Sequence, residues 1–197
     1  MAGARFQRRV GKLVLLVAVA LLALAAMPAG ATIVERGKYK DTYAHSYDDC
    51  GFTVQVEGTA WGQYRLRQGK GKTATAFFLR DRFNYREVHT NVETGAWFVI
   101  RGRGVFNEVK ARRVEGNIFR FTSIEAGQPF VVENSAGEVV LRDRGVIRRT
   151  ILFDTEGDNV PGGKELEFVG AEVRGPHPGF DMSDEDFCAM VTRLIGS

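Results

Sequence analysis

Two carboxylates stand in nearly the same local context, Leu79-Arg80-Asp81-Arg82 and Leu141-Arg142-Asp143-Arg144. Asp81 shares its parity with Phe77, Leu79, Phe83 and Tyr85; Asp143 shares its parity with Leu141, Ile147 and Ile151. In a β-strand, residues of one parity lie on one face. Each aspartate is therefore expected on an apolar face, where a carboxylate needs a partner or a raised pKa. Inside a cavity such groups act as general acids or bases, or as polar anchors. His89 has the parity of Asp81 at the far end of the same run and joins the two as a candidate catalytic group. Phe77, Phe83 and Tyr85 are the matching candidates for contact with an apolar ligand. The plainer expectation is a bulge that resets the alternation, so that each aspartate meets solvent or a neighbouring arginine.

No other chemistry-bearing motif is present. HExxH, CxxC, Gly-x-Ser-x-Gly and a full phosphate-binding P-loop are all missing from the sequence, and no cofactor is implied. Gly69-Lys70-Gly71-Lys72-Thr73 matches only the end of a P-loop and reads as a hairpin turn between strands. Asp154, Glu156 and Asp158 offer oxygen ligands for calcium, but Gly157 comes too early for an EF-hand loop, so no metal site is expected. His177 stands between two prolines in Gly175-Pro176-His177-Pro178-Gly179, a rigid lead into the chain's last segment. Arg101-Gly102-Arg103-Gly104, Arg112-Arg113 and Arg148-Arg149 are dense. They read either as solvated strand faces or as a basic stripe for an anionic polymer, such as a wall glycan or a phosphate-bearing lipid surface.

The elements that must position these groups are mostly of period two. Phe52, Val54 and Val56 alternate with polar residues. So do Gly62, Tyr64 and Leu66, then residues 73–88, 118–124 and 138–153. Turn signals fall at 68–71, 93–95, 116–117, 126–129, 134–137 and 157–163. The pattern predicts an all-β domain of about eight to ten antiparallel strands, an up-and-down barrel in preference to a β-sandwich. Ser183 followed by Asp184, Glu185 and Asp186 predicts the N-terminus of one short helix near 183–196, with Phe187, Met190, Val191, Leu194 and Ile195 at helical spacing.

The chain has 197 residues, with 27 Lys+Arg against 24 Asp+Glu. Arg5, Arg8, Arg9 and Lys12 precede the uncharged apolar run Leu13–Ala26, and Ala29-Gly30-Ala31 offers a small-x-small cleavage site. Residues 1–31 are therefore expected to be a signal peptide, too short in its apolar run for a span of roughly 20 residues. Taking those four from 27 leaves 23 basic residues against 24 acidic ones in 32–197. That balance argues against nucleic acid as the main partner. Export makes the cysteine pair Cys50 and Cys188 a disulfide in expectation. It also implies a secreted domain with no stable membrane insertion after cleavage.

Asp48-Asp49-Cys50-Gly51-Phe52, Leu141-Arg142-Asp143-Arg144-Gly145 and Gly175-Pro176-His177-Pro178-Gly179 resemble segments of small secreted proteins of actinobacteria with no assigned activity. The resemblance implies secretion and a compact β-fold and brings no catalytic residues. The strand plan is also similar in architecture to lipocalin-like and allene-oxide-cyclase-like barrels. The first functional expectation is a non-catalytic exported β-protein that binds a small apolar or amphipathic ligand or an envelope component. The others are a barrel enzyme (cyclase, isomerase or hydrolase) using lumen carboxylates, and a structural or interaction module of the envelope.

Overall fold

The computed structural model describes residues 32–196, so the expected signal peptide lies outside the described residues. Eight strands follow in order: β1 Thr32–Tyr47, β2 Val54–Gln68, β3 Phe77–Asn91, β4 Trp97–Glu115, β5 Ile118–Glu133, β6 Val139–Arg142, β7 Gly145–Asp154 and β8 Lys164–Arg174. A single 3-10 turn, Gly71–Thr73, precedes β3, and helix α1, Asp184–Ile195, closes the chain. All pairings are antiparallel, in the order β1-β2-β3-β4-β5-β7-β8, with β6 added on β5. The all-β antiparallel expectation and the C-terminal helix are both realised.

The sheet is not closed: β1 and β8 are its edges. Direction is one reason. Seven strands lie on the antiparallel path, so β1 and β8 run the same way. Joining them within one chain would take a parallel ladder, which is slightly less stable per residue.

Two sequence expectations need correction. Residues 126–129, read as a turn, lie within β5, whose register against β4 breaks between Arg101 and Arg103. Residues 138–153, read as one strand, are cut at Asp143 and Arg144. Both breaks lie beside Pro129, whose missing N–H leaves a gap in the ladder on one side of β5. Opposite it the chain leaves the sheet. The Asp143 N–H donates to the Phe130 carbonyl at 2.8 Å, and the Arg144 N–H donates to the Pro176 carbonyl at 2.9 Å. Gly145, at φ 128°, turns the chain back into β7.

Parity divides the sheet into two faces. Val54, Phe98, Ile100 and Val132 lie on one face and pack against Met190, Val191 and Ile195 of α1. The same face carries Phe119 and Phe121 at its other end, packed with Ala76, Ile151 and Phe153. Helix α1 is held at both ends. Ser183 accepts from the Asp186 N–H at 3.1 Å, completing a capping box. The buried Asn91 side chain donates to the Ile195 carbonyl at 2.8 Å. Cys50 and Cys188 form the expected disulfide, tying the loop after β1 to α1 across 138 residues of chain.

Candidate functional site

The two faces meet different needs in the band between the packed ends. On the first face, aromatic rings of one strand lie across glycines of the next. Tyr39 covers Gly62, Tyr43 covers Gly58, Tyr64 covers Gly37, Phe83 covers Gly104 and Tyr85 covers Gly102. A glycine leaves the space that a ring on the neighbouring strand fills, and the ring restores the apolar contact the glycine lacks. The phenol then reaches a fixed acceptor. Tyr39 donates to Asp81 at 2.9 Å, Tyr43 to Glu87 at 2.7 Å and Tyr85 to the Pro129 carbonyl at 2.8 Å. Tyr64 donates to Glu35. Tyr39 and Tyr43 thus each clamp three strands, from β1 over β2 to β3.

These groups are tuned for holding rather than for proton transfer. Burial, then the bond to Asp81, pushes Tyr39 up to about 12, and burial with the bond to Glu87 does the same for Tyr43. Tyr47 rises to about 12 and Tyr85 rises further, burial again leading. Such phenols stay protonated donors throughout the neutral range. Glu87 is held below the usual carboxylate range, first by the bond to His89 and further by Tyr43, against the effect of burial. Glu108 goes the other way: burial raises it, only partly offset by the Leu79 N–H that donates to it at 2.6 Å.

The second face carries arginine. Neighbouring strands place Arg36, Arg65 and Arg80 directly opposite one another in a single row. The next row is Lys38, Gln63, Arg82, and the one after is Lys40, Trp61, Asn84, Arg103. Thr42, Thr59, Arg86 and Arg101 follow. Over this stretch of β1 to β4 the only carboxylate of matching parity is Glu57. Among the described residues, Arg101 is the one cation of this set in an ion pair, its Nε donating to Glu133 at 2.9 Å. Opposite side chains of adjacent strands stand ~5 Å apart, and each like-charge pair at that distance costs roughly 0.2–1 kcal/mol.

Two adjoining clefts follow these rows. One, of about 420 Å³, is lined by Arg36, Lys38, Gln63, Arg65, Arg80 and Arg82 together with Gly37 and Tyr64. The other, of about 920 Å³, is lined by Lys40, Thr42, Ala44, Glu57, Thr59, Trp61, Arg86 and Val88, with Tyr43 and Gly58. Trp61 in this lining is 41% exposed.

The residues singled out in the sequence are not gathered in one place. Asp81 lies on the tyrosine face as its parity implied, held by Tyr39, with its Oδ1 buried and without a hydrogen-bond partner among the described residues. Asp143 lies not in a strand but at the break between β6 and β7. It is buried there, with Oδ1 accepting from the Gly179 N–H at 2.7 Å and Oδ2 at 3.8 Å from His177 Nδ1. His89 is buried between Tyr47 and Glu87 and stacks on Phe98, ring centroids 4.7 Å apart. Of the ligand candidates, Phe83 and Tyr85 belong to the ring-over-glycine set. Phe77, half-buried at the start of β3, stands opposite Gln68. Asp154 and Asp158 accept from the N–H groups two residues on, at 2.8 and 3.0 Å, and so shape a turn. Glu156 sits exposed between them, and no three His, Cys, Asp or Glu side chains converge on a metal position among the described residues.

In each dense arginine stretch one member has a partner among the described residues, Arg101 with Glu133 among them. Arg113 stacks over Phe119 at 4.9 Å and donates to the Lys72 carbonyl, while Arg149 lies 3.9 Å from Glu125. The cations that do line up, Arg36, Arg65 and Arg80, were not singled out in the sequence. Their alternation inside each strand is visible there, but the register that sets three strands side by side is not. Neither a protein-family model, nor a curated protein, nor a solved structure matches this chain.

Proposed function

We propose that the protein is an exported, non-catalytic binding module that takes an anionic, amphipathic component of the cell envelope onto its arginine face. The observation that carries this reading is the row Arg36–Arg65–Arg80, three like charges set opposite one another with no carboxylate in the row. A fold that keeps such a row bears its repulsion in the free state, and an anion relieves it. Phosphate suits the arrangement, because guanidinium groups bind its oxygens through parallel N–H donors. The cleft beside the row includes Trp61, Ala44 and Val88 in its lining, apolar surface for an apolar or sugar portion next to the charged head. The disulfide fits an oxidising compartment, where envelope components are met.

The enzyme reading gains less support. Asp81, Asp143 and His89 are each held by separate neighbours, and the phenols around Asp81 are donors rather than bases.

Sedimentation with lipid vesicles tests the proposal. Vesicles containing anionic phospholipid should retain the protein at low salt and release it as salt rises, whereas zwitterionic vesicles should not retain it. Arg65→Glu, at the centre of the row, should weaken retention roughly thirtyfold, two charge units at ~1 kcal/mol each near an anionic surface. Equal binding to both vesicle types, or an Arg65→Glu variant that binds as well as the parent, would overturn it. Competition by inorganic phosphate separates headgroup recognition from recognition of the bilayer surface.

A further inference from the structure

The two edges of the sheet are built differently. β8 is interrupted: its register against β7 breaks between Thr150 and Ile151 and again between Leu152 and Phe153. Such bulges are a common way to blunt an edge against pairing. β1 has one break, between Ile33 and Glu35, and then runs unbroken to Tyr47. Its residues are exposed on both faces along almost the whole length. Its tyrosines lean inward across β2, so they leave the outer side of the strand clear. Among the described residues no strand pairs with its outer side, and an unbroken strand with such an unpaired row of N–H and C=O groups is a template for one more strand.

We propose that β1 pairs antiparallel with β1 of a second copy of this chain, about a two-fold axis at Thr42. A two-fold that pairs like edges antiparallel stands normal to the sheet and keeps both faces aligned. Residues of one parity then meet their own parity, and charge selects among the registers this allows. Centring on Lys38 or Lys40 puts lysine against lysine, centring on Tyr39 puts Lys38 against Lys40, and centring on Asp41 puts aspartate against aspartate. Centring on Thr42 avoids every like-charge pair from Gly37 to Tyr47, and is the longest register that does. Lys40 then stands opposite Ala44, Lys38 opposite Ser46, Asp41 opposite Tyr43 and Tyr39 opposite His45. The two Lys40 residues are offset by four positions, about 14 Å apart, beyond a Debye length of ~8 Å at physiological salt. The lysines that would guard this edge therefore do not prevent this particular pairing.

The pairing joins two arginine faces into one continuous surface, but it does not depend on the anion reading, and its test needs no anion. Light scattering over a concentration series should show the mass rising from one chain to two. Thr42→Cys should form an interchain disulfide under a mild oxidant, since the two copies of residue 42 meet at the axis. Ala44→Cys should not, because its opposite is Lys40. Thr42→Lys, which sets lysine against lysine at the axis and faces only Thr59 within its own chain, should restore the monomer. Circular dichroism and an intact Cys50–Cys188 bond confirm folding of each variant. A monomer at every concentration, cross-linking of Ala44→Cys equal to that of Thr42→Cys, or a dimer that survives Thr42→Lys would overturn the proposal.

Discussion

The tyrosine face and the arginine face are the two sides of the same strands, yet they solve opposite problems. On the tyrosine face the buried or half-buried carboxylates of β3 and β4 each have a partner: Asp81 has Tyr39, Glu87 has Tyr43 and His89, Glu108 has the Leu79 N–H. Rings fill the spaces above glycines, and α1 covers one end. On the arginine face a row of cations faces solvent with no partner in the row. The first arrangement is what holding a sheet together requires. The second sets like charges together at some cost to stability, the cost that the proposed anion site relieves on binding. Substitutions should therefore separate the faces: stability should respond on one and binding on the other.

The largest effect is expected at the cover of the tyrosine face. Cys50→Ala with Cys188→Ala removes the tie that closes a loop of 138 residues. Loss of such a bridge typically costs about 2–5 kcal/mol, with a model ceiling near 5 for so long a loop. The loss falls on α1 first, because Met190, Val191 and Ile195 then depend on packing alone. Urea denaturation should show a lowered midpoint, and amide exchange should accelerate in α1 before β2 and β3. Equal acceleration across the sheet would mean that the helix is not a separate cover.

Next comes the ring-over-glycine packing. A Cβ on Gly102 would run into the Pro129 carbonyl and the Tyr85 ring, both fixed by the bond between them. Gly102→Ala should cost about 1–3 kcal/mol as overpacking. Gly37→Ala meets only the Tyr64 ring, on an exposed part of β1, and should cost less. A reversed order would break the claim that these rings hold the sheet.

A smaller effect, with a sign that depends on pH, is expected at Glu108. Burial raises this carboxyl, so the folded state holds its proton more tightly than the unfolded chain does. Its contribution is fully present below the unfolded pKa near 4.5 and is lost as pH rises through the folded value. Glu108→Gln keeps an oxygen for the Leu79 N–H and removes the titration. It should stabilise the protein at neutral pH by about 1 kcal/mol, and the gain should vanish below pH ~4. Glu87 has the opposite sign, since its pKa is lowered: its contribution is present above the unfolded value and is lost as pH falls through the folded one. Thermal melts of Glu108→Gln and Glu87→Gln across pH should therefore diverge.

Whereas β4 and the two exposed edge strands, β1 and β8, were not among the runs read in the sequence, β2, β3, β5 and β7 were legible there because alternation is a local property. Asp81 could be placed on the buried face for that reason alone. Asp143 could not, because its place at the break between β6 and β7 is set by Phe130 and Gly179, residues distant in the chain. The helix was legible to its cap, since Ser183 and Asp186 lie within one turn. The arginine row was not legible. Arg36, Arg65 and Arg80 lie on three different strands, and only the register of two hairpins makes them neighbours. Dense pairs such as Arg112-Arg113 drew attention in the sequence, yet an alternating strand sends adjacent residues to opposite faces. Density along the chain is thus a poor guide to density on a sheet surface.

The smallest expected effect on stability is the sharpest test of the contrast. Arg65→Gln removes the middle charge of the row while keeping a polar side chain of moderate length on an exposed strand position. Were Arg65 structural, the change would lower the melting temperature as a lost ion pair does. With Arg36 and Arg80 directly opposite and no carboxylate in the row, the change instead removes two repulsive neighbours. Stability should stay within about 0.5 kcal/mol or rise slightly, with the rise largest at low salt, where screening is weakest. Retention on anionic vesicles should fall in the same variant. The corresponding change on the other face, Asp81→Asn, should behave in reverse. It removes the charge that Tyr39 meets, so it should lower stability by ~1 kcal/mol and leave vesicle binding unchanged. A variant pair in which both properties move together on both faces would show that the two sides of the sheet do not divide the work between them.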